Sequence, residues 1–270
     1  MKFWKMSGAG NDFVLVEDNG YTSEKLGVMA VKLCRRRFSV GADGLLAICR
    51  VPGGGIRMRY FNPDGTEAFC GNGSRCSIWW AYIHGYCGKE TFLEAMPGRL
   101  KAYITADNIV KMAMPAVKTP EEYNVRLLSG KQQHVFFLDT GVPHCVVPVS
   151  ADSLPSLNVE SEGRALRHNR LFPEGANVDF IAEEKLPDGL RIVNVRTYER
   201  GVEAETFACG TGITASAVVS GIVYDAPSPV SLLCRGGENF KIWFDKSGSG
   251  AVNVFMQGPA EIVFEGEINV

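Results

Sequence analysis

The sequence predicts an α+β fold built from two similar halves, each mostly β with one central buried helix. Three observations carry that prediction. Cys70 and Cys209 each follow an acidic, glycine-containing approach and open a glycine-rich stretch of small or apolar residues (FNPDGTEAFCGNGSRCS and YERGVEAETFACGTGITAS). Weaker matches recur in the same order: Gly10–Leu15 with Val142–Val147, Gly41-Ala42-Asp43 with Gly175-Ala176-Asn177, and Arg59-Tyr60-Phe61 with Arg196-Thr197-Tyr198. Their offset drifts slowly, from 132 (Asp12 to His144) to 139 (Cys70 to Cys209), as an internal duplication requires. Finally, the apolar residues that follow Cys70 fall almost all round a helix, which places that helix in a core.

Taken in order, Lys2–Met6 and Phe13–Glu17 read as strands around a Ser-Gly-Ala-Gly-Asn turn. Ser23–Arg37 reads as an amphipathic helix with Ser23 as its N-cap and Arg35–Arg37 as a solvated, dipole-matching end. Strands follow at Gly44–Cys49 and Arg57–Phe61, with Pro52-Gly53-Gly54-Gly55 as the turn between them. The helix after Cys70 spans Ser74–Tyr82 and stops near Gly85 or Gly88. Short strands punctuated by Pro97-Gly98 and Asp107-Asn108 fill Thr91–Met114, and Pro115–Asn124 reads as a connection between halves. The second half repeats the style. Strands are expected at Val135–Leu138, Cys145–Val149, Asn177–Ala182 and Leu190–Thr197, a polar helix at Val159–Arg167, a buried helix after Cys209, and a strand-rich end from Val230 to Val270.

The bulk properties exclude several classes. A chain of 270 residues can bury one large core or two ordinary ones. A formal net charge of −2 offers no electrostatic footprint for nucleic acid. No uncharged apolar run approaches the roughly 20 residues that span a bilayer, and the N-terminal stretch lacks the apolar core of a secretion signal, so the expectation is a cytoplasmic protein with no membrane partner. The eight cysteines are then expected to be reduced, with Cys34, Cys49, Cys145 and Cys234 as small core hydrophobes. No Cys-x2-Cys pair occurs, so no metal site is expected. Ser7-Gly8-Ala9-Gly10 leads into a strand rather than a helix, which is the wrong context for a dinucleotide site.

Two glycine-flanked thiols at helix starts suit proton transfer. A helix N-terminus stabilises a thiolate and can hold a carboxylate on its free N–H groups. The dipole alone is worth about 0.3–1 kcal/mol, too little to make the thiolate, so a nearby imidazole is needed and His144 is the best placed of the four histidines. Two thiols facing one carbon would not both ionise, and a thiolate with a thiol is the base and acid that inverting a stereocentre requires. A pair of structural cysteines, a thiol nucleophile and a redox pair remain the competing readings.

The segments KMSGAGNDFVLVE, FNPDGTEAFCGNGSRC, TGVPHCVV, GANVDFI, YERGVEAETFACGTG and MQGPAEIVFEGEI resemble those of the diaminopimelate epimerases, in the same order along the whole chain. The resemblance implies two pseudo-symmetric lobes, each a curved, mostly antiparallel sheet around its central helix. It also implies epimerisation of LL-diaminopimelate to the meso form without pyridoxal phosphate or any other cofactor, in a homodimer of the lysine-forming pathway. By resemblance Cys70 and Cys209 are the catalytic pair. Gly71, Asn72, Gly210 and Thr211 hold the substrate carboxylate at the reacting centre; Asn11, Asn62, Asn177, Glu199 and Arg200 contact the substrate; and His144 with Glu199 tunes the thiols. The lobes are expected at 1–117, joined by a last strand at about 262–270, and at 118–261. Three departures bear on the substrate. Gly44 and Val142 stand where family members carry hydrogen-bonding side chains, and the approach to Cys70 is one residue shorter than usual. The alternatives are a related racemase of another amino acid such as histidine, and an amino-acid-binding protein of the same fold.

Overall fold

The computed structural model describes residues 1–187 and 189–269. The chain divides into two compact units, one made of Met1–Ala113 with the stretch from Gln257 onward, the other of Met114–Met256. The expected last strand at about 262–270 corresponds to one that ends at Glu267, and its expected final residue, Val270, lies outside the described residues.

The first unit runs β1 (Lys2–Gly8), β2 (Asn11–Glu17), α1 (Ser23–Leu33), β3 (Gly44–Val51), β4 (Gly55–Phe61), β5 (Glu67–Ala68), α2 (Gly71–Ile83), β6 (Glu90–Ala95), β7 (Gly98–Ala106) and β8 (Ile109–Ala113). The second runs β9 (Val117–Lys118), β10 (Glu121–Arg126), β11 (Gln132–Asp139), β12 (Pro143–Pro148), α3 (Val159–Arg167), β13 (Asn177–Lys185), β14 (Arg191–Glu199), β15 (Ala204–Thr206), α4 (Gly210–Tyr224), β16 (Val230–Cys234), β17 (Asn239–Ser247) and β18 (Gly250–Pro259). The last strand, β19 (Glu261–Glu267), returns to the first unit and pairs antiparallel with β1.

Strand pairing repeats between the units. In the first, β2 runs parallel to β3 and β4 parallel to β6, while the neighbouring pairs β1/β2, β3/β4, β6/β7 and β7/β8 are antiparallel. In the second, β12 runs parallel to β13 and β14 parallel to β16, among antiparallel pairs β10/β11, β11/β12, β13/β14 and β16/β17. Each unit packs one amphipathic helix on one face of these strands. Leu26, Met29, Ala30 and Leu33 of α1 meet Val14, Val16, Leu45 and Phe61; Val159 and Leu166 of α3 meet Cys145, Val147, Val178 and Tyr198. The other face meets the buried helix, α2 or α4.

That arrangement fixes the internal match more tightly than the letters do. Side chains alternate across a strand, so an error of one residue would exchange the faces. Equating the residues that face α1 and α3 sets Val14 against Cys145, Leu45 against Val178 and Phe61 against Tyr198. His144 therefore corresponds to Phe13, not to Asp12, and Asn177 to Gly44, not to Asp43. The paired registers agree, with Phe13 opposite Gly44 and His144 opposite Asn177.

Several expectations shift. The first helix is capped by Thr22, whose hydroxyl accepts from Lys25 N at 3.1 Å, and it ends at Leu33 because Gly41 and Ala42 donate to the Leu33 and Cys34 carbonyls. Arg37 adopts positive φ beyond that end, and Arg36, though exposed, also bonds Asp12 and Asp43. Pro115–Asn124 is not a bare connection: β9 pairs with β18 and β10 with β11. Cys49 is only half-buried, unlike Cys34, Cys145 and Cys234. The polar helix over Val159–Arg167 lies where the sequence puts it, with the Asn158 side chain as its cap.

Candidate active site

Both buried helices begin one residue after a cysteine. Extended backbone at Cys70 (φ −137°, ψ 113°) and Cys209 (φ −115°, ψ 111°) makes each the N-cap, so its thiol looks onto the unpaired amides of the first turn. Glycine is needed there because of what lies beneath. A side chain at Gly73 would press on Leu46, and one at Gly212 would collide with the Asp179 carboxylate. The helix after Cys70 starts three residues earlier than the sequence pattern predicts, at Gly71, because glycines weaken the pattern while the cap geometry does not depend on it.

Around Cys70 the polar groups form a chain. Gly73 N donates to Cys70 Sγ at 3.3 Å. Buried Asn72 donates to Asn11 Oδ1 at 2.5 Å and accepts from Arg75 at 3.0 Å, and Asn11 donates on to Asp43. Arg75 is wholly buried on α2 and also donates to the Pro259 carbonyl. Asp43 and Asp12 then share Arg36, and Lys5 joins Asp12 at 2.6 Å and the Gly41 carbonyl. Asn62 stands in the turn before β5, where its amide donates to Thr66 Oγ1.

Around Cys209 the surroundings are more acidic. The thiol lies 3.3 Å from Thr211 Oγ1 and makes no capping hydrogen bond of the kind Cys70 makes. Burial pushes it well above the usual thiol range, and the charges of Glu199 and Asp179 push the same way; the Thr211 hydroxyl and the Gly212 amide, acting weakly, oppose them. His144 is wholly buried, with Nδ1 2.7 Å from Asp179 Oδ2. A carboxylate only accepts, so Nδ1 carries the ring proton. Nε2 is buried with no hydrogen-bond partner among the described residues. Asn177 accepts from Arg200 N at 2.8 Å and donates to the Pro143 carbonyl, and the Arg200 guanidinium reaches the Glu174 carbonyl.

The diaminopimelate epimerase family model matches residues 3–120 and 136–263. The chain belongs to the diaminopimelate epimerase family. It is 39% identical to the diaminopimelate epimerase of Aquifex aeolicus, with 100% of this chain and 98% of that protein covered, and 36% identical to that of Chlorobaculum tepidum, with 98% and 100% covered. Solved structures share the fold: a PhzF-family phenazine biosynthesis protein of Bacillus anthracis (TM-score 0.77, 17% identity, 100% and 99% covered) and a hydroxyproline epimerase of Agrobacterium vitis (TM-score 0.69, 17% identity, 98% and 91% covered).

Within this diaminopimelate epimerase family chain, the first unit gathers Asn11, Cys70, Gly71 and Asn72 around the start of α2, with Asn62 in a turn nearby in sequence. In the second, Glu199, and His144 through Asp179, lie by Cys209, Gly210 and Thr211 at the start of α4, while Asn177 bonds Arg200 and the Pro143 carbonyl. Sequence reasoning missed Asp179 and Thr197. The available signal was an acidic residue inside the run NVDFIA, where every neighbour in the strand is buried. Burial also raises thiols outside the capping pair, Cys34 and Cys76 to about 12. Among the described residues no three His, Cys, Asp or Glu side chains converge as metal ligands would, and no described helix is long and apolar enough to cross a membrane.

Proposed function

We propose that the chain epimerises diaminopimelate at an α-carbon, converting the LL to the meso isomer, with Cys70 and Cys209 as the two proton carriers. The observation that carries this reading is the pair of cysteine N-caps on topologically equivalent helices, each with glycines in its first turn, in a chain of this family. One thiolate removes the α-proton while the other thiol delivers a proton to the opposite face, so the configuration inverts with no change in the proton count of the pair. The first-turn amides at Gly71-Asn72 and Gly210-Thr211 receive the carboxylate of the reacting centre, where negative charge grows as the α-proton leaves. Asn11, Asn62, Asn177, Glu199 and Arg200 bind the rest of the substrate. We propose further that the enzyme works in the cytoplasm as a homodimer.

The test is solvent exchange. Incubation with LL-diaminopimelate in deuterium oxide gives meso product carrying deuterium at the inverted carbon. Binding without deuterium entry makes the chain an amino-acid-binding protein, and faster exchange into histidine than into diaminopimelate makes it a histidine racemase.

A further inference from the structure

The two thiol-capped helices stand on floors of different chemistry. Beneath α2 the inward positions of β2, β3 and β4 are Phe13, Leu46 and Tyr60; beneath α4 the matching positions of β12, β13 and β14 are His144, Asp179 and Thr197. All six are buried. In the first unit the contact is apolar, with Phe13 and Tyr60 edge to face at 6.0 Å and Leu46 under Gly73. In the second, Asp179 accepts from His144 Nδ1 and from Thr197 Oγ1, each at 2.7 Å, which fixes the carboxylate plane and sets Oδ1 directly under Gly212. Three concerted differences at one spot, in halves that otherwise repeat strand for strand, give the second floor a charge that the first lacks.

We infer that Asp179 is a positioning residue that helps make the two thiols unequal: held by His144 and Thr197 under the first turn of α4, its carboxylate adds to what keeps the proton on Cys209 and so favours Cys70 as the first base. The inference rests on the two-thiol reading proposed above. Burial acts most strongly on Cys209 and the charge of Glu199 from β14 comes next, both in the same direction as Asp179, while the Thr211 hydroxyl and Gly212 amide of its own helix oppose them. His144 of β12 stands behind Asp179, and β17 meets α4 further along, where Phe244 lies against Gly221. The balance closes: the α-proton passes to Cys70, the Cys209 proton passes to carbon, and exchange with water returns each thiol to its starting state. An isomer that presents its α-hydrogen to Cys209 finds that thiol already protonated.

The experiment is a pH titration of 13Cβ-labelled cysteine by NMR, which reads ionisation directly and needs no reagent to reach a buried thiol. Working in Cys70→Ser removes the coupling between the pair. Adding Asp179→Asn, which keeps the shape and loses the charge, moves the Cys209 midpoint to lower pH, on the order of tenfold or more in proton affinity. An unchanged midpoint overturns the inference. Should the double variant not fold, Asp179→Asn alone decides against the wild type: the gap between the Cys70 and Cys209 midpoints narrows, and an unchanged gap overturns the assignment. Turnover by Cys70→Ser or Cys209→Ser at the wild-type rate sinks the two-thiol reading itself, and leaves the titration result standing as a fact about Asp179.

Discussion

The ring of Tyr60 fills the space into which a side chain at Gly44 would grow. A Cβ there would strike the ring edge and also crowd the Phe61 carbonyl, while the Tyr60 hydroxyl donates to the Asp43 carbonyl at 3.2 Å. The missing side chain at position 44 is thus one half of a packed pair. Gly44→Gln alone should cost about 1–3 kcal/mol of stability through overpacking, and the penalty should shrink when Tyr60→Val is added. Denaturant unfolding of both single variants and the double variant checks this; costs that simply add would show that the ring and position 44 do not compete.

The capping thiols should be separable from the core thiols by function. Cys70→Ala and Cys209→Ala each abolish exchange of the α-hydrogen while the fold survives, because each substitution removes a single sulfur atom at a helix end. Cys34→Ala and Cys234→Ala leave exchange largely intact. Rates of deuterium entry, read beside circular dichroism, test both halves of this expectation.

Arg200 offers a guanidinium that reaches only a carbonyl and, among the described residues, pairs with no carboxylate. If it receives the distant carboxylate of diaminopimelate, Arg200→Met removes a charged hydrogen bond worth roughly 2–5 kcal/mol and lowers kcat/KM by at least about thirtyfold. Lysine, which lacks that carboxylate, is then a very poor substrate for the wild type. Comparable rates on lysine and diaminopimelate would remove Arg200 from that role.

Asp12 should make stability depend on pH in the acid range. Burial by itself would raise its carboxyl, but hydrogen bonds from Arg36 and Lys5, and their charges, outweigh burial and hold it below the usual carboxylate range. A carboxyl depressed in the folded state contributes stability above its unfolded pKa of about 3.9, and that contribution fades as pH falls through the folded value. Asp12→Asn should therefore cost about 1–3 kcal/mol near pH 7 and progressively less below about pH 4. A penalty that stays constant down to pH 3 would contradict this.

Much of the fold was legible because its signals are local. The polar pattern over Val159–Arg167 marks α3, and the apolar residues after Cys70 fall almost all round the helix. The capping cysteines were legible too, since Cys-Gly-Xaa-Gly repeats in letters. Asp179 was not: β13 is buried on both faces from Asn177 to Ala182, so alternation gives no face to assign, and its partners His144 and Thr197 come from strands 35 and 18 residues away in sequence. The off-by-one match of His144 to Asp12 has the same origin, because a strand's face is decided by the sheet and not by its letters. Arg36 is exposed as expected, but its pairing was not legible because the carboxylates that bind it come from two other segments.

The pairing of β1 with β19 sets Lys2 opposite Glu267 and lets Trp4 Nε1 donate to Glu265 at 2.9 Å across almost the whole chain. Synthesis from the N-terminus therefore releases the two units out of order. Met114–Met256 is one continuous piece that can close its own sheet once its last strand emerges, whereas the unit begun first lacks a strand until that whole piece has been made. Until then β1 offers an unpaired edge to its surroundings, so a nascent chain halted before Glu261 exposes Trp4 and its neighbours to association with other chains.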